Sequence, residues 1–161
     1  MAGLYPDAPN AADVPFTEPT LQLLAAARAE AYRLHHEYIG TEHVALGMTH
    51  DVNATALLSR FGLDALEVRA SLDAIVKPGR AMLPLEAQRP YTSRTLQSFG
   101  FAVANARAHG HNAVGIEHLV IGLLTERLNL GASVLQKHGL SLEQVAAEVQ
   151  QRGENGISGP Q

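Results

Sequence analysis

The feature that most constrains this chain is an internal duplication. Shifting the sequence by 75 residues aligns residues 16–49 with residues 91–124, and 12 of the 34 aligned pairs are identical, far more than chance supplies. After a two-residue insertion the match resumes at a shift of 77 and includes two glycines, Gly62 and Gly139. A duplicated chain of this kind folds into two copies of one structural unit, which bury their apolar faces against each other.

The pattern of apolar residues, caps and glycines in each copy predicts four helices. Apolar residues recur at intervals of three or four after Thr17 and Thr92, and each threonine stands where an N-cap is expected. Gly40 and Gly115 interrupt the chain before a second helix. A short third helix ends at a glycine, and a fourth opens on a capping-box pattern. The expected fold is all-α, with two four-helix repeats packed by pseudo-twofold symmetry into one compact eight-helix domain.

Composition predicts where the repeats begin and end. Repeat 1 is expected to cover residues 15–76 and repeat 2 residues 91–152. Residues 77–90 contain three prolines and a glycine, which is typical of a linker. Residues 1–14 and 153–161 are polar or rich in Gly and Pro, so we expect disordered tails there.

The bulk composition excludes several classes of protein. Aromatic residues make up only 5% of the chain and Trp is absent, which favours a helical core of Leu, Ala, Val and Ile. The net charge is −4 and the basic residues are scattered, so we expect no binding to nucleic acid. The absence of Cys excludes disulfides and Cys-ligated zinc. The chain shows neither a signal peptide nor an apolar stretch of the ~18 residues that cross a membrane, so a cytoplasmic protein without membrane contact is expected.

Both copies contain a Glu-His pair after an aliphatic residue and a glycine, as YIGTEH at residues 38–43 and AVGIEH at residues 113–118. Two histidines and one glutamate per copy could hold a metal ion if they converged, but no HExxH motif is present and the glycine interrupts the helix. The favoured alternative is structural: one histidine closes the first helix, and the other supports the start of the second by hydrogen bonds. We therefore expect no metal and no cofactor, and assign the structural role to His36, Gly40, His43, His111, Gly115 and His118.

The sequence also argues against an enzyme. It has no P-loop and no G-x-S-x-G motif. Glu42 and Glu117 could form a catalytic carboxylate pair, but each lies in the first turn of a helix, where its charge complements the macrodipole. A third interpretation is recognition, because Thr17, Thr41 and Thr92 lie with these glutamates near helix N-termini and would suit a ligand with an anionic and a guanidinium part. Plain helix capping needs no ligand, and the residues alone leave these two interpretations open.

The doubled motif identifies a family. Two copies of the pattern A-x-x-x-A-x-x-x-x-H-x-x-[IV]-G-x-E-H resemble the Clp repeat, which forms the N-terminal domain of the Clp/Hsp100 unfoldases, especially the ClpC type. The openings FTEPTLQLL and YTSRTLQSF match the Phe/Tyr-Thr start of that family, and the resemblance covers residues 16 to about 150. It implies an eight-helix, pseudo-symmetric domain that binds adaptors and substrates of a Clp protease.

The ClpC resemblance further implies two sites for phosphorylated arginine. Carried over to this chain, one site pairs Glu42 with Thr17 and the other pairs Glu117 with Thr92. In each, the glutamate would face the guanidinium and the opening turn would hold the phosphoryl group. The expected ligand-binding set also includes Phe16, Thr41, Tyr91 and Arg94.

Two departures from the family pattern bear on these expectations. Ile116 replaces the motif threonine in the second copy, whereas Thr41 keeps it in the first, so the first site is expected to be the better one. Of the basic residues that usually follow the opening threonine, only Arg94 is present, which favours generic partner binding over phosphoarginine recognition.

The unfoldases of this family carry two ATPase modules after the domain, whereas this sequence ends at Gln161. The chain is either a fragment of an unfoldase or a stand-alone protein; the appearance of its tails favours a stand-alone protein, which we expect to act as an adaptor or modulator of a Clp complex. The alternative is a sensor or decoy that sequesters small molecules or phosphoarginine ligands directed at the Clp N-domain.

Overall fold

The computed structural model describes residues 14–154, and eight α-helices lie within them. These are α1 (Glu18–Arg33), α2 (Thr41–Met48), α3 (Val52–Arg60), α4 (Ala65–Ile75), α5 (Ser93–Ala108), α6 (Ile116–Thr125), α7 (Leu130–Lys137) and α8 (Leu142–Glu154). Over the same residues, extended pairing is limited to two isolated β-bridges. The prediction of an all-α domain with eight helices is confirmed.

The first helix of each repeat begins at its predicted cap. The Thr17 hydroxyl oxygen accepts a hydrogen bond from the Thr20 N–H at 3.3 Å, and the Thr92 hydroxyl oxygen accepts one from the Thr95 N–H at 3.2 Å. Each bond satisfies one of the N–H groups that a helix leaves unpaired in its first turn. Local sequence therefore sets where α1 and α5 start.

The third and fourth helices also follow local sequence. Gly62 and Gly139 end α3 and α7 with φ of +82° and +105°, a left-handed conformation that favours glycine. Ser141 and Gln144 form the predicted capping box of α8, in which each backbone N–H donates to the other residue's side chain, at 3.3 and 3.1 Å. In α4 the Asp64 carboxylate caps the first turn.

The core lies where the first two helices of each repeat cross and where α2 meets α7. Nearly every residue of α2 and α6 is buried. The helices approach closely because the stripes of α1 and α5 are built partly from fully buried alanines, namely Ala27, Ala31, Ala102 and Ala106.

The opening segment of each repeat packs against the other repeat. Phe16 forms a parallel β-bridge with Val114, and Tyr91 forms one with Ile39. The N–H that follows each aromatic residue donates to the bridged residue's carbonyl oxygen, at 3.0 Å in both cases. The 75-residue shift maps Phe16 onto Tyr91 and Ile39 onto Val114, so it exchanges the two bridges. This exchange expresses the pseudo-twofold symmetry.

Residues 77–90 connect the repeats and are folded onto repeat 1. Arg89 is only 6% exposed. Its guanidinium donates hydrogen bonds of 2.9–3.4 Å to the carbonyl oxygens of His36, Leu83, Pro84, Leu85 and Ala87. The Pro90 carbonyl then accepts the Ile39 N–H at 2.9 Å, which fixes the entry to repeat 2. Sequence reasoning had not singled out Arg89.

The predicted tails lie largely outside the described residues. Val14, assigned to the N-terminal tail, is 6% exposed and packs into the core. The Pro15 carbonyl beside it accepts the Val114 N–H at 2.8 Å, which holds this segment against repeat 2. At the other end, α8 continues to Glu154, two residues beyond the expected end of repeat 2. No helix within residues 14–154 combines the length and apolar character needed to cross a bilayer.

Candidate functional site

The structure pairs the predicted site residues across the repeats. Thr17 and Glu117 line one cavity of about 210 Å³. Thr92 and Glu42 line another of about 480 Å³. The prediction that each glutamate pairs with the threonine of its own repeat is therefore wrong. The reason is the exchange of opening segments, which carries each threonine to the Glu-His motif of the other repeat. We call the two places the Thr17–Glu117 site and the Thr92–Glu42 site.

The Thr92–Glu42 site contains a carboxylate without an internal counter-ion. Glu42 is partly exposed and folds back over the start of α2, so that a Cβ added at Gly40 would lie 2.5 Å from its Oε1. Within residues 14–154 it has no hydrogen-bond or ion-pair partner. A carboxylate in this state can accept hydrogen bonds from an incoming cation.

Positive charge lies across the same cavity. The half-exposed Arg94 lines it, and Arg94 Nη1 is 3.4 Å from Glu126 Oε2. Glu126 also accepts hydrogen bonds from the Leu128 N–H and the Asn129 side-chain amide, so its charge is shared among three donors. The N-terminus of α5 adds the positive end of a helix dipole. The cavity is completed by Thr41, Ser93, Leu128 and Leu130.

Thr41 lines this cavity, but its hydroxyl is already engaged. It is 3% exposed, and its Oγ1 accepts the Gly131 N–H at 3.3 Å. α7 approaches so closely that a Cβ at Gly131 would lie 2.4 Å from the Thr41 carbonyl oxygen. Thr41 therefore joins α2 to α7, and Ile116 fills the equivalent buried position at the start of α6.

In the Thr17–Glu117 site the carboxylate is already paired. Glu117 is 9% exposed, and its Oε2 lies 2.6 Å from Arg152 Nη2 and 3.3 Å from Arg60 Nη2. Glu148 pairs with the same two guanidinium groups, at 2.8 Å from Arg60 and 3.8 Å from Arg152. The two carboxylates and two guanidinium groups balance in charge.

Phe16 and Tyr91, expected to contact a ligand, line neither cavity. Both pack edge-on against Phe99, with ring centroids 5.5 and 4.9 Å apart, and Tyr91 is only 7% exposed. The two aromatics therefore anchor the exchanged segments to the shared core.

The histidines of the first motif form a chain of hydrogen bonds. The Gly40 N–H donates to His43 Nδ1 at 2.8 Å, so the proton of the neutral ring is on Nε2. His43 Nε2 then donates to His36 Nδ1 at 2.7 Å, and His36 Nε2 donates to the Lys77 carbonyl at 2.9 Å. Burial, followed by the neighbouring His36 ring, lowers the pKa of His43 to about 3. These rings connect α2, the end of α1 and the linker in their neutral state.

The second motif repeats the arrangement with one difference. The Gly115 N–H donates to His118 Nδ1 at 2.8 Å, and His118 Nε2 donates to His111 Nδ1 at 2.8 Å. His111 Nε2 is buried and has no partner in the part of the chain that the structure describes. Burial and then His111 lower the pKa of His118 to about 4. The described residues contain no group of three or more His, Cys, Asp or Glu side chains that could hold a metal ion.

Sequence reasoning missed a buried ion cluster around Glu30, which is 4% exposed. Arg33 and His50 each approach its carboxylate to 2.8 Å, and Arg69 approaches to 3.2 Å. A signal was available, because Glu30 lies on the apolar stripe of α1, three residues after Ala27. A charge at such a position has to be paired when it is buried.

Known proteins match this chain over almost its whole described length. The model of the family described as Clp repeat (R) N-terminal domain matches residues 15–138 and 90–158. The chloroplastic chaperone protein ClpC2 of Oryza sativa subsp. japonica is 31% identical over 136 residues, which cover 83% of this chain and 15% of the relative. A ClpA homolog of Guillardia theta, an ATP-binding subunit of the ATP-dependent Clp protease, is 32% identical over 136 residues, which cover 83% and 16% of the two chains. This chain therefore spans about 16% of the length of the curated relatives it matches.

Solved structures share the fold at lower identity. The N-terminal domain of ClpD from Arabidopsis thaliana superposes with a TM-score of 0.66 at 20% identity, covering 86% of this chain and 94% of that one. The Hsp104 N-terminal domain from Candida albicans gives a TM-score of 0.66 at 14% identity, covering 86% and 91%. The architecture and the family match agree with the resemblance drawn from the doubled Glu-His motif, and we conclude that this chain belongs to the Clp repeat N-terminal domain family.

Proposed function

We propose that this domain is a non-enzymatic protein-interaction module that binds adaptors, substrates or degrons and modulates Clp-dependent proteolysis. Family membership supports the general role. The observation that carries the specific proposal is the Thr92–Glu42 site, where the unpaired Glu42 carboxylate shares a cavity with Arg94 and the N-terminus of α5.

A phosphorylated arginine side chain fits this arrangement. Its phosphoryl group is bonded directly to a guanidinium nitrogen, so its cationic and anionic parts are adjacent. Glu42 would accept hydrogen bonds from the guanidinium nitrogens. Arg94 and the first N–H groups of α5 would donate to the phosphoryl oxygens. Leu128 and Leu130 would cover the methylene groups of the ligand side chain.

Glu42 is the better candidate than Glu117 for binding a guanidinium, as the sequence predicted, but for a different reason. The sequence favoured the first copy because Thr41 keeps the motif hydroxyl, which instead binds Gly131. The difference that matters is that Glu117 is paired with two arginines, whereas Glu42 has no ion-pair partner within residues 14–154.

We expect the immobilised domain to retain a model protein phosphorylated on arginine and to release the same protein when it is unphosphorylated or phosphorylated on serine. Glu42→Gln should weaken retention by about tenfold or more, because it removes a charge-assisted contact worth at least ~1.4 kcal/mol. The measurement is the fraction of each form retained by the wild-type domain and by the variant.

Glu117→Gln is the matched control, since it removes the duplicated carboxylate, and we expect its retention to equal the wild-type value. Equal retention of all three protein forms would contradict phosphoarginine recognition. Binding of free phosphoarginine without retention of the phosphorylated protein would instead favour the sensor or decoy alternative.

A further inference from the structure

We propose that Arg60 and Arg152 close the Thr17–Glu117 site against guanidinium ligands, so that the duplicated domain has one working site instead of two. The identity of the ligand rests on the proposed function. The closure itself depends on ion pairs within the chain.

Two guanidinium groups of the chain share one oxygen of the Glu117 carboxylate. Arg152 and Arg60 approach Oε2 to 2.6 and 3.3 Å, and both arginines line the cavity. Oε1 is turned toward the start of α6, where a Cβ at Gly115 would lie 3.3 Å from it. A ligand guanidinium needs the same carboxylate, so it has to displace a guanidinium that the chain supplies.

Glu148 makes that displacement harder. It lies 2.8 Å from Arg60 and belongs to the same helix as Arg152, one turn earlier. Arg60 is therefore held between Glu148 and Glu117, and it is oriented before any ligand arrives. Because both arginines belong to the chain, they compete with a free ligand at a high effective concentration. The side chains of Arg60 and Arg152 are 44% and 32% exposed, so solvent weakens each pair but leaves the network of four charges in place.

The Thr92–Glu42 site differs at the positions equivalent to these two arginines. At the shift of 77, Arg60 corresponds to Lys137 and Arg152 corresponds to Ile75. Neither Lys137 nor Ile75 lines the Thr92–Glu42 cavity. The two repeats therefore share the glutamate and the capping threonine. They differ at the positions of Arg60 and Arg152, which pair with the Glu117 carboxylate.

The anion-binding side of the closed site differs as well. Pro19 lines the Thr17–Glu117 cavity, and its equivalent by the 75-residue shift is Arg94, which lines the open one. Pro19 brings neither a charge nor a backbone N–H to the first turn of α1. Pro19 would weaken the contact with the phosphoryl part of a ligand, whereas the pairing of Glu117 with Arg60 and Arg152 blocks the contact with its guanidinium part.

Native mass spectrometry with free phosphoarginine tests the closure by counting bound ligands. We expect one in the wild-type domain and two in the Arg60→Gln/Arg152→Gln variant, because glutamine leaves Glu117 without a cationic partner. Adding Glu117→Gln to that variant should return the count to one. Arg80→Gln, in the linker, is the matched control for removing an exposed arginine and should leave the count at one.

The change between variants tests the closure, and the wild-type count tests the proposed function. A count that does not rise in the double variant overturns the closure, whatever the wild-type count is. A wild-type count of zero that rises to one supports the closure and rejects the Thr92–Glu42 site as the working one. If circular dichroism shows that the double variant is unfolded, Arg60→Met/Arg152→Met is used instead, because methionine keeps the apolar stem of each side chain and removes its charge, and the same gain of one ligand is required.

Discussion

Gly122→Ala is expected to lower the free energy of unfolding by about 3 kcal/mol or more, at the upper end of what overpacking a core costs. A Cβ at Gly122 would lie 2.1 Å from the Ser98 carbonyl oxygen and 3.0 Å from the Ala102 nitrogen. Both are backbone atoms of α5, so neither can move aside without displacing the helix. The close crossing of α5 and α6 therefore depends on this residue having no side chain.

Chemical denaturation of Gly122→Ala and of a matched variant, Gly100→Ala, measures this effect. Gly100 also lies within a helix, but a Cβ there would meet no heavy atom within 4 Å. Gly100→Ala should stabilise the domain by about 0.5–1 kcal/mol, because alanine favours the helix over glycine. A Gly122→Ala variant as stable as the wild type would show that the two helices do not cross this closely.

Lowering the pH from 7 to 5 should destabilise the domain by about 4 kcal/mol through His43 and His118 together. Their pKa values in the folded state are about 3 and about 4, below the ~6.5 of an unfolded chain. Between these limits the unfolded state binds protons that the folded state does not, so stability falls by about 1.4 kcal/mol per pH unit for each ring. The contribution is fully present above pH ~6.5 and is lost as the pH falls toward the folded values.

The hydrogen bonds of the folded state also oppose protonation of His43 and His118. A proton on His43 Nδ1 or His118 Nδ1 would face the N–H of Gly40 or Gly115, which donates to that nitrogen in the folded state. The nearby charges oppose protonation too: Arg89 and Arg33 act on His43, and His109 and Arg152 act on His118.

Urea unfolding at pH 7, 6 and 5 gives the dependence directly. In His43→Leu the slope of stability against pH should become clearly shallower, since one of the two rings with the most strongly lowered pKa is gone. His118→Leu should do the same, and it serves as the second variant if His43→Leu does not fold. A wild-type stability that stays constant from pH 7 to 5, or variants that keep the full slope, would contradict the neutral state of these histidines.

Features decided by neighbouring residues could be predicted from the sequence. Thr17 and Thr92 cap their helices because a side-chain oxygen there reaches an N–H three residues later. Gly62 and Gly139 end theirs because the chain needs a left-handed residue at that point. The duplication made these local patterns easier to recognise, since each occurs twice at a constant spacing.

Contacts between the repeats could not be predicted in the same way. An internal alignment shows that Thr17 is equivalent to Thr92. The alignment does not show whether each threonine contacts the glutamate of its own repeat or that of the other repeat, because both arrangements give the same alignment. The pairing is decided by the bridges Phe16–Val114 and Tyr91–Ile39, which depend on how the repeats pack. The pairing of Glu117 with Arg152 was missed because that arginine lies outside the motif; its only signal was a charge where the other copy has an aliphatic residue.

The most direct test of the central claim is isothermal titration of free phosphoarginine into the wild-type domain, Glu42→Gln and Glu117→Gln. We predict one bound equivalent in the wild type, an affinity at least about tenfold weaker in Glu42→Gln, and an unchanged affinity in Glu117→Gln. The reason is that, of the two motif glutamates, Glu117 is paired with arginines and Glu42 has no ion-pair partner among residues 14–154. Wild-type binding in Glu42→Gln together with lost binding in Glu117→Gln would contradict the assignment of the Thr92–Glu42 site.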